Sequence, residues 1–182
     1  KCDVIPEDER SRRLYSKLGF ERMFYLYKME KIAEGSRESD LEFAEIYLRR
    51  PPGGMLLVSG HWYPSIYAWC NLIHSLEYNR LEGFSFERPR AFEVRDRDRS
   101  LGLLVLQRHY ADPSLCIAYL WIHPGLSRGS LGEVAAGLES IARELGYSRI
   151  FVEVDEKNSE AFLEAGYSET GRVEYMRISS KA

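Results

Sequence analysis

The run CIAYLWI (residues 116–122), HP (123–124), GLSRGSLG (125–132), EVAAGLESIARELG (133–146) and YSRIFVEV (147–154) decides how this chain folds. The first segment is apolar and of strand length, and Pro124 closes it because a proline has no N–H to give a ladder. A glycine-rich, basic loop follows. Val134, Leu138, Ile141, Ala142 and Leu145 then recur on one helical face, and Gly146 ends the helix in the left-handed conformation that glycine tolerates. Arg149 to Val154 returns as a second strand, and strands joined through a helix are normally parallel partners. A glycine-rich turn into a helix aims free N–H groups outward, which makes an anion site.

Pro124, Arg128 to Gly132, the helix end at Ala142 to Gly146, Val152 to Val154, Asn158, Ala161 and Gly166-Tyr167 together resemble the GNAT superfamily of acyl-CoA-dependent N-acetyltransferases, over roughly residue 91 to the end. The resemblance implies an α/β fold: a mixed, mostly antiparallel twisted sheet with a splayed parallel central pair, flanked by helices. It implies acetyl-CoA, or a related acyl-CoA, as co-substrate and no metal. The cofactor arm would lie between strands 116–122 and 149–154, with the backbone of Leu120, Trp121 and Ile122 along the thioester. Arg128, Gly129, Ser130, Leu131 and Gly132 would hold the pyrophosphate, and Asn158 would touch the arm. His61, Trp62 and Tyr63 become wall residues of the acceptor site, or else a simple staple at a helix start.

Glu153 and His123 are the candidate general bases by type and place. Each has a plainer reading, Glu153 as a solvent-facing strand residue and His123 as the end of a strand. The chain departs from the family pattern in two places. Its loop is about one residue shorter, and Ser130 with Glu133 forms a capping-box pattern that would consume amides a phosphate needs. The tyrosine that many members use as leaving-group acid is missing before Gly166. Tyr15 fulfils its spacing instead, as an acid or as a packed aromatic.

At 182 residues the chain suits one full domain, and a net charge of −3 provides no field for nucleic acid or anionic lipid. The arginines at 88, 90, 95, 97 and 99 are interleaved with acids, as in a solvated hairpin tip between strands 91–94 and 101–106. Three scattered cysteines make neither a disulfide framework nor a zinc site, and no apolar run reaches membrane length. The expectation is a cytoplasmic protein with no membrane or nucleic-acid partner.

The beginning resembles the close of another domain of the same family. A strand ends at Val4, Asp8 caps a short helix, Gly19 stops it, and Phe24 to Met29 is a strand. Val154 to Ile178 repeats this plan, with Asn158 matching Asp8, Gly166-Tyr167 matching Gly19-Phe20 and Tyr175-Met176 matching Tyr27-Lys28. In this alignment the second helix is about three residues shorter. The division that follows is residues 1–31 as the tail of a first GNAT-like domain, 32–54 as linker and helix, and 55–182 as an acyltransferase domain. Ser39 to Glu42 has the form of a capping box, and Leu41, Ala44, Tyr47 and Leu48 share a helical face. Met55 to Ser59 would open the second domain as a strand, and Ile66, Trp69, Cys70, Ile73 and Leu76 mark a helix.

Two functions fit. One is acetyl transfer to a small-molecule or peptide amine by direct attack in a ternary complex, without a protein nucleophile. The other is a catalytically silent GNAT-like domain kept for binding, regulation or dimerisation, with a homodimer or a contact with a missing first domain as the expected partner.

Overall fold

Strands form where apolar residues alternate or run unbroken, and helices where they recur every three or four positions. The computed structural model describes residues 2–4, 6, 8–35, 39–47, 90–109, 112–122 and 126–178. Eight strands lie among them: β1 (Cys2–Val4), β2 (Glu21–Ile32), β3 (Glu42–Ile46), β4 (Arg90–Asp96), β5 (Arg99–Arg108), β6 (Leu115–Ile122), β7 (Arg149–Asp155) and β8 (Ser168–Ile178). Three helices join them: α1 (Glu9–Lys17), α2 (Arg128–Glu144) and α3 (Glu156–Glu164). The strands make one sheet in the order β1-β8-β2-β7-β6-β5-β4-β3, and β6 with β7 is its parallel pair. The mixed, mostly antiparallel α/β architecture expected from the sequence is therefore present. Met55 to Ser59, expected as a strand, the helix expected around residues 61–76, and His61, Trp62, Tyr63 and His123 lie outside the described residues.

The core fills the space between the sheet and α2. Met29, Leu104, Leu106, Cys116, Ala118, Leu120, Val152 and Val154 meet Leu131, Val134, Leu138 and Ile141 of α2 and Phe162 of α3 in one buried cluster. Such faces carry most of the folding free energy, at about 25 cal/mol per Å² of apolar surface removed from water. The hairpin of β4 and β5 is tighter than expected, since only Arg97-Asp98 intervene, with Arg97 at φ 54°.

Residues 41–47 do not form the expected helix, and Leu48 lies outside the described residues. Glu42–Ile46 is a strand, paired from Glu42↔Arg95 to Ile46↔Ala91, and Ser39 Oγ accepts from the Leu41 N–H at 3.2 Å instead of opening a capping box. Tertiary packing overrides the local pattern here: Phe43 packs where α2 carries Gly137, and a Cβ at Gly137 would overlap the Phe43 ring. Gly137→Ala gains about 1 kcal/mol of helix propensity, but it overpacks this contact at a cost of about 1–3 kcal/mol. The expected outcome is net loss of stability in urea denaturation, reversed in sign when Phe43→Ala accompanies it.

The N-terminal segment is woven into the same sheet, with β2 lying between β7 and β8. It repeats the last segment with unusual fidelity. Glu9 and Glu156 open the two helices, each nine residues long and 147 positions apart. Asp8 and Asp155 are the N-caps, accepting from the N–H groups of Ser11 and Asn158. Gly19 and Gly166 end the helices at φ 86° and 87°. Tyr15 and Phe20 meet edge-to-face at 5.3 Å, and Phe162 and Tyr167 do so at 5.2 Å. The pairs Leu26↔Val173, Phe24↔Tyr175 and Lys28↔Gly171 obey the two-fold relation that this shift demands. The alignment read from the sequence is thereby corrected. Asp155, not Asn158, matches Asp8, Lys28 matches Tyr175, and neither helix is shortened.

Candidate functional site

The parallel pair parts halfway. Its register runs from Leu115↔Arg149 to Ala118↔Val152, and among the described residues it goes no further. Beyond that point Tyr119 to Ile122 stay with β5, ending at Gly102↔Ile122, while Glu153, Val154 and Asp155 stay with β2 opposite Lys28, Tyr27 and Leu26. Each arm is held by its outer neighbour, so the backbone edges facing the gap have no ladder partner across it. Gly102 faces Ile122 on the outer side of the open arm. A Cβ there would strike the Trp121 carbonyl and sit 3.1 Å from the Ile122 Cα, so glycine lets β5 draw close to β6 along the open arm.

The chain leaves β6 on that side and re-enters as α2. Ser127 is the N-cap, its Oγ accepting from the Ser130 N–H at 3.2 Å and lying 2.9 Å from the Ser130 hydroxyl. The expected Ser130–Glu133 capping box is absent: the Glu133 carboxylate accepts from the Asp40 N–H at 3.1 Å. Ser127 therefore occupies only one of the first-turn amides, and the others retain the anion-binding character of a helix N-terminus. A Cβ on Gly132 would meet no described atom within 4 Å, and one on Gly129 would touch only Ser127 Oγ at 3.9 Å. Leu131 points into the core, 4% exposed.

Arg128 faces the other way. Its guanidinium donates to Glu164 at 2.5 and 3.0 Å and lies 3.0 Å from Glu160, which holds its pKa above the ordinary arginine value. It ties α2 to α3 across the surface. An incoming diphosphate would compete with two carboxylates for it.

On the second arm, Glu153 alternates with buried Val152 and Val154 and lies across the register from Lys28. Tyr119 on the first arm feels it: burial foremost, then the Glu153 charge, pushes the phenol above its ordinary pKa. Tyr119 stacks with Trp121 at 6.4 Å between ring centroids. Asn158 donates its backbone N–H to Asp155 at 3.0 Å. The Asp155 carboxyl, at the tip of the arm, is raised from 3.8 to about 6, chiefly by burial.

The structure thus brings Leu120, Trp121, Ile122, Arg128 to Gly132, Glu153 and Asn158 around one end of the parallel pair. Tyr15 is elsewhere, half-buried on α1, which Arg12 anchors to Glu174 of β8 at 3.1 Å. Its counterpart near the parted strands is Phe162, fully buried and without a hydroxyl. Sequence reasoning missed Tyr119 and Asp155. The spacing of Asp155 and Asn158 directly after a strand was the available signal for the latter, as an N-cap pattern. Cys116 is buried under α2 and its thiol is pushed up to about 12, so it is no nucleophile. Among the described residues no group of His, Cys, Asp or Glu is placed to hold a metal, and no helix is long and apolar enough to cross a membrane.

No family model matches the sequence, and no curated protein matches it. Solved structures do match. A GCN5-related N-acetyltransferase from Anabaena variabilis aligns with 96% of this chain and 44% of its own, at 14% identity and a TM-score of 0.63. One from Sphaerobacter thermophilus aligns with 97% and 58%, at 11% identity and 0.53. The glucosamine N-acetyltransferase region of a fungal multi-domain β-N-acetylglucosaminidase aligns with 94% and 24%, at 13% identity and 0.51. The chain therefore has the GNAT fold, and it spans less than two thirds of the length of each of these proteins.

Proposed function

We propose that this chain is an acyl-CoA-dependent N-acyltransferase that moves an acetyl group to an amine by direct attack. The observation that carries the reading is the parting of β6 and β7 after Ala118 and Val152, at the same end of the sheet as the first turn of α2. Acetyl-CoA would supply the activated acyl carbon as a thioester. The open edge of Leu120 to Ile122 would pair with the cofactor's amide-bearing arm as an added strand does, and Gly129, Ser130 and Gly132 would face its diphosphate. A backbone N–H of the β6 arm would polarise the thioester carbonyl. As the C–N bond forms and the C–S bond breaks, the amine gives up one proton and sulfur takes one. Glu153 and His123 remain the candidate acceptors of the first, joined by Asp155, while Tyr15, held on α1 beside β8 and away from the gap, does not reach sulfur, so water would supply the second.

Gly129→Asp separates ligand binding from folding. A carboxylate in the first turn of α2 favours the helix dipole and removes a helix glycine, so Tm should rise by about 1–3 °C. The same charge repels a diphosphate, so the acetyl-CoA Kd measured by calorimetry should rise at least tenfold. Unchanged affinity would contradict the proposed phosphate site.

A catalytically silent domain is the second reading. It is favoured by Phe162 in the place that Tyr15 holds in the first unit and by the two carboxylates on Arg128. Absence of any heat on titrating acetyl-CoA would select it.

A further inference from the structure

The two repeated units are alike in backbone and opposite in environment. In the second, α2 covers α3: Ala161 is 3% exposed, Phe162 is fully buried, and the Tyr167 hydroxyl donates to the Ala135 carbonyl of α2 at 3.3 Å. In the first, the matching face of α1 is open. Leu14, the counterpart of Ala161, is 55% exposed, and Leu18, the counterpart of Ala165, is 57% exposed. The sheet shows the same asymmetry, for β7 has β6 on its far side whereas β1, its counterpart, ends the strand order among the described residues.

The charges differ in sign. Arg128 of α2 is seated on Glu160 and Glu164 of α3. The shift of 147 positions puts Arg13 and Lys17 in those two places on α1. A helix like α2 itself would bring its arginine against Lys17 and against Arg13, which donates to Glu9 at 2.7 Å but still places its guanidinium there. A helix with a carboxylate in its first turn would be attracted.

We infer that the Leu14, Tyr15 and Leu18 face of α1 docks a helix built like α2, from a second acyltransferase-type domain, that bears an acidic residue where α2 has Arg128. That domain's adjoining strand would extend the sheet at β1, as β6 does beside β7. Reversed charge keeps the two helices from exchanging places, which in a pair of near-identical units is a real hazard. The inference rests on the repeat and not on catalysis, so a silent chain leaves it intact.

The test uses the full chain and a fluorescent peptide of residues 126–146, held helical by a lactam that joins Ser140→Lys to Glu144 and checked by circular dichroism. Two versions are compared, one unchanged and one with Arg128→Glu. The Arg128→Glu peptide should bind at least tenfold more tightly than the unchanged one and slow hydrogen exchange across residues 9–20. Leu14→Lys in the chain should abolish binding. Arg13→Glu with Lys17→Glu should reverse the preference. These positions are exposed, so circular dichroism of the variants should match the parent. The inference is overturned if neither peptide protects residues 9–20, if the two bind equally, or if protection falls on residues 156–164 through displacement of α2. It is also overturned if sedimentation shows a dimer with α1 buried, which makes a second copy the occupant.

Discussion

Glu139→Ala is expected to destabilise the protein by about 3–5 kcal/mol, the characteristic cost of removing one partner from a buried ion pair. Glu139 is the buried charged residue among those described, 2% exposed in the middle of α2. One carboxylate oxygen lies 2.5 Å from Lys31 Nζ, and the other accepts from the Gly35 N–H at 2.7 Å. Lys31 also donates to the Ala165 carbonyl at 2.6 Å and stands 5.4 Å from the Tyr167 ring centroid. Arg143, one turn further along α2, donates to the Gly35 carbonyl at 2.5 Å. This network joins the end of β2 to α2 and α3, so it fastens the N-terminal unit to the rest of the sheet.

Truncation strands the lysine charge at 18% exposure and leaves the Gly35 amide without its acceptor. Glu139→Gln keeps an acceptor for Gly35 and should cost less than half as much. Lys31→Met with Glu139→Leu should recover most of the loss, because a buried pair returns little net energy over an apolar replacement of similar size. Urea midpoints at constant m-value report all three. A cost below about 1 kcal/mol for Glu139→Ala would mean that water reaches the pair, and the fastening role would be lost with it.

What the sequence disclosed follows the reach of each interaction. β6, α2 and β7 were legible because an unbroken apolar run, a 3.6-residue period and Gly146 are local signals. The parting of β6 from β7 came from the family resemblance. On the far side of the open arm, β5 lies so close to β6 that a Cβ at Gly102 would strike the Trp121 carbonyl, a contact across strands that no local pattern encodes. β3 was misread for a similar reason, since Leu41, Ala44 and Tyr47 have helical spacing while Phe43, seated at Gly137, decides the outcome. In the repeat, Gly19 and Gly166 were matched correctly. Taking Asn158 as the counterpart of Asp8 then hid the true cap, Asp155, and made the second helix look too short. Because the helices are equal in length, Phe162 stands where Tyr15 stands in the first unit.

Asp155 should make stability depend on pH in the direction opposite to an ordinary capping aspartate. A cap usually lowers its carboxyl pKa, because the helix N-terminus and its N–H groups favour the anion. The Asn158 N–H and Lys157, 3.9 Å away, act in that sense. Burial wins, with the side chain 14% exposed, and the folded-state value stands at about 6 against 3.8 for the free group. Between those values the native state holds a proton that the unfolded chain has released. Stability is therefore fully expressed below pH 3.8, falls as pH rises through the window, and levels off above about 6. The whole displacement corresponds to an upper bound of about 3 kcal/mol. Asp155→Asn retains the cap, since asparagine serves there as well as aspartate, and removes the titration. The variant should be more stable than the parent at pH 7 by about 2–3 kcal/mol and nearly equal to it at pH 4. Urea unfolding of both proteins at pH 4, 5, 6 and 7 decides the matter. If the difference instead grows as pH falls, the anion is the favoured form in the fold, and Asp155 is simply a cap at the tip of the open arm.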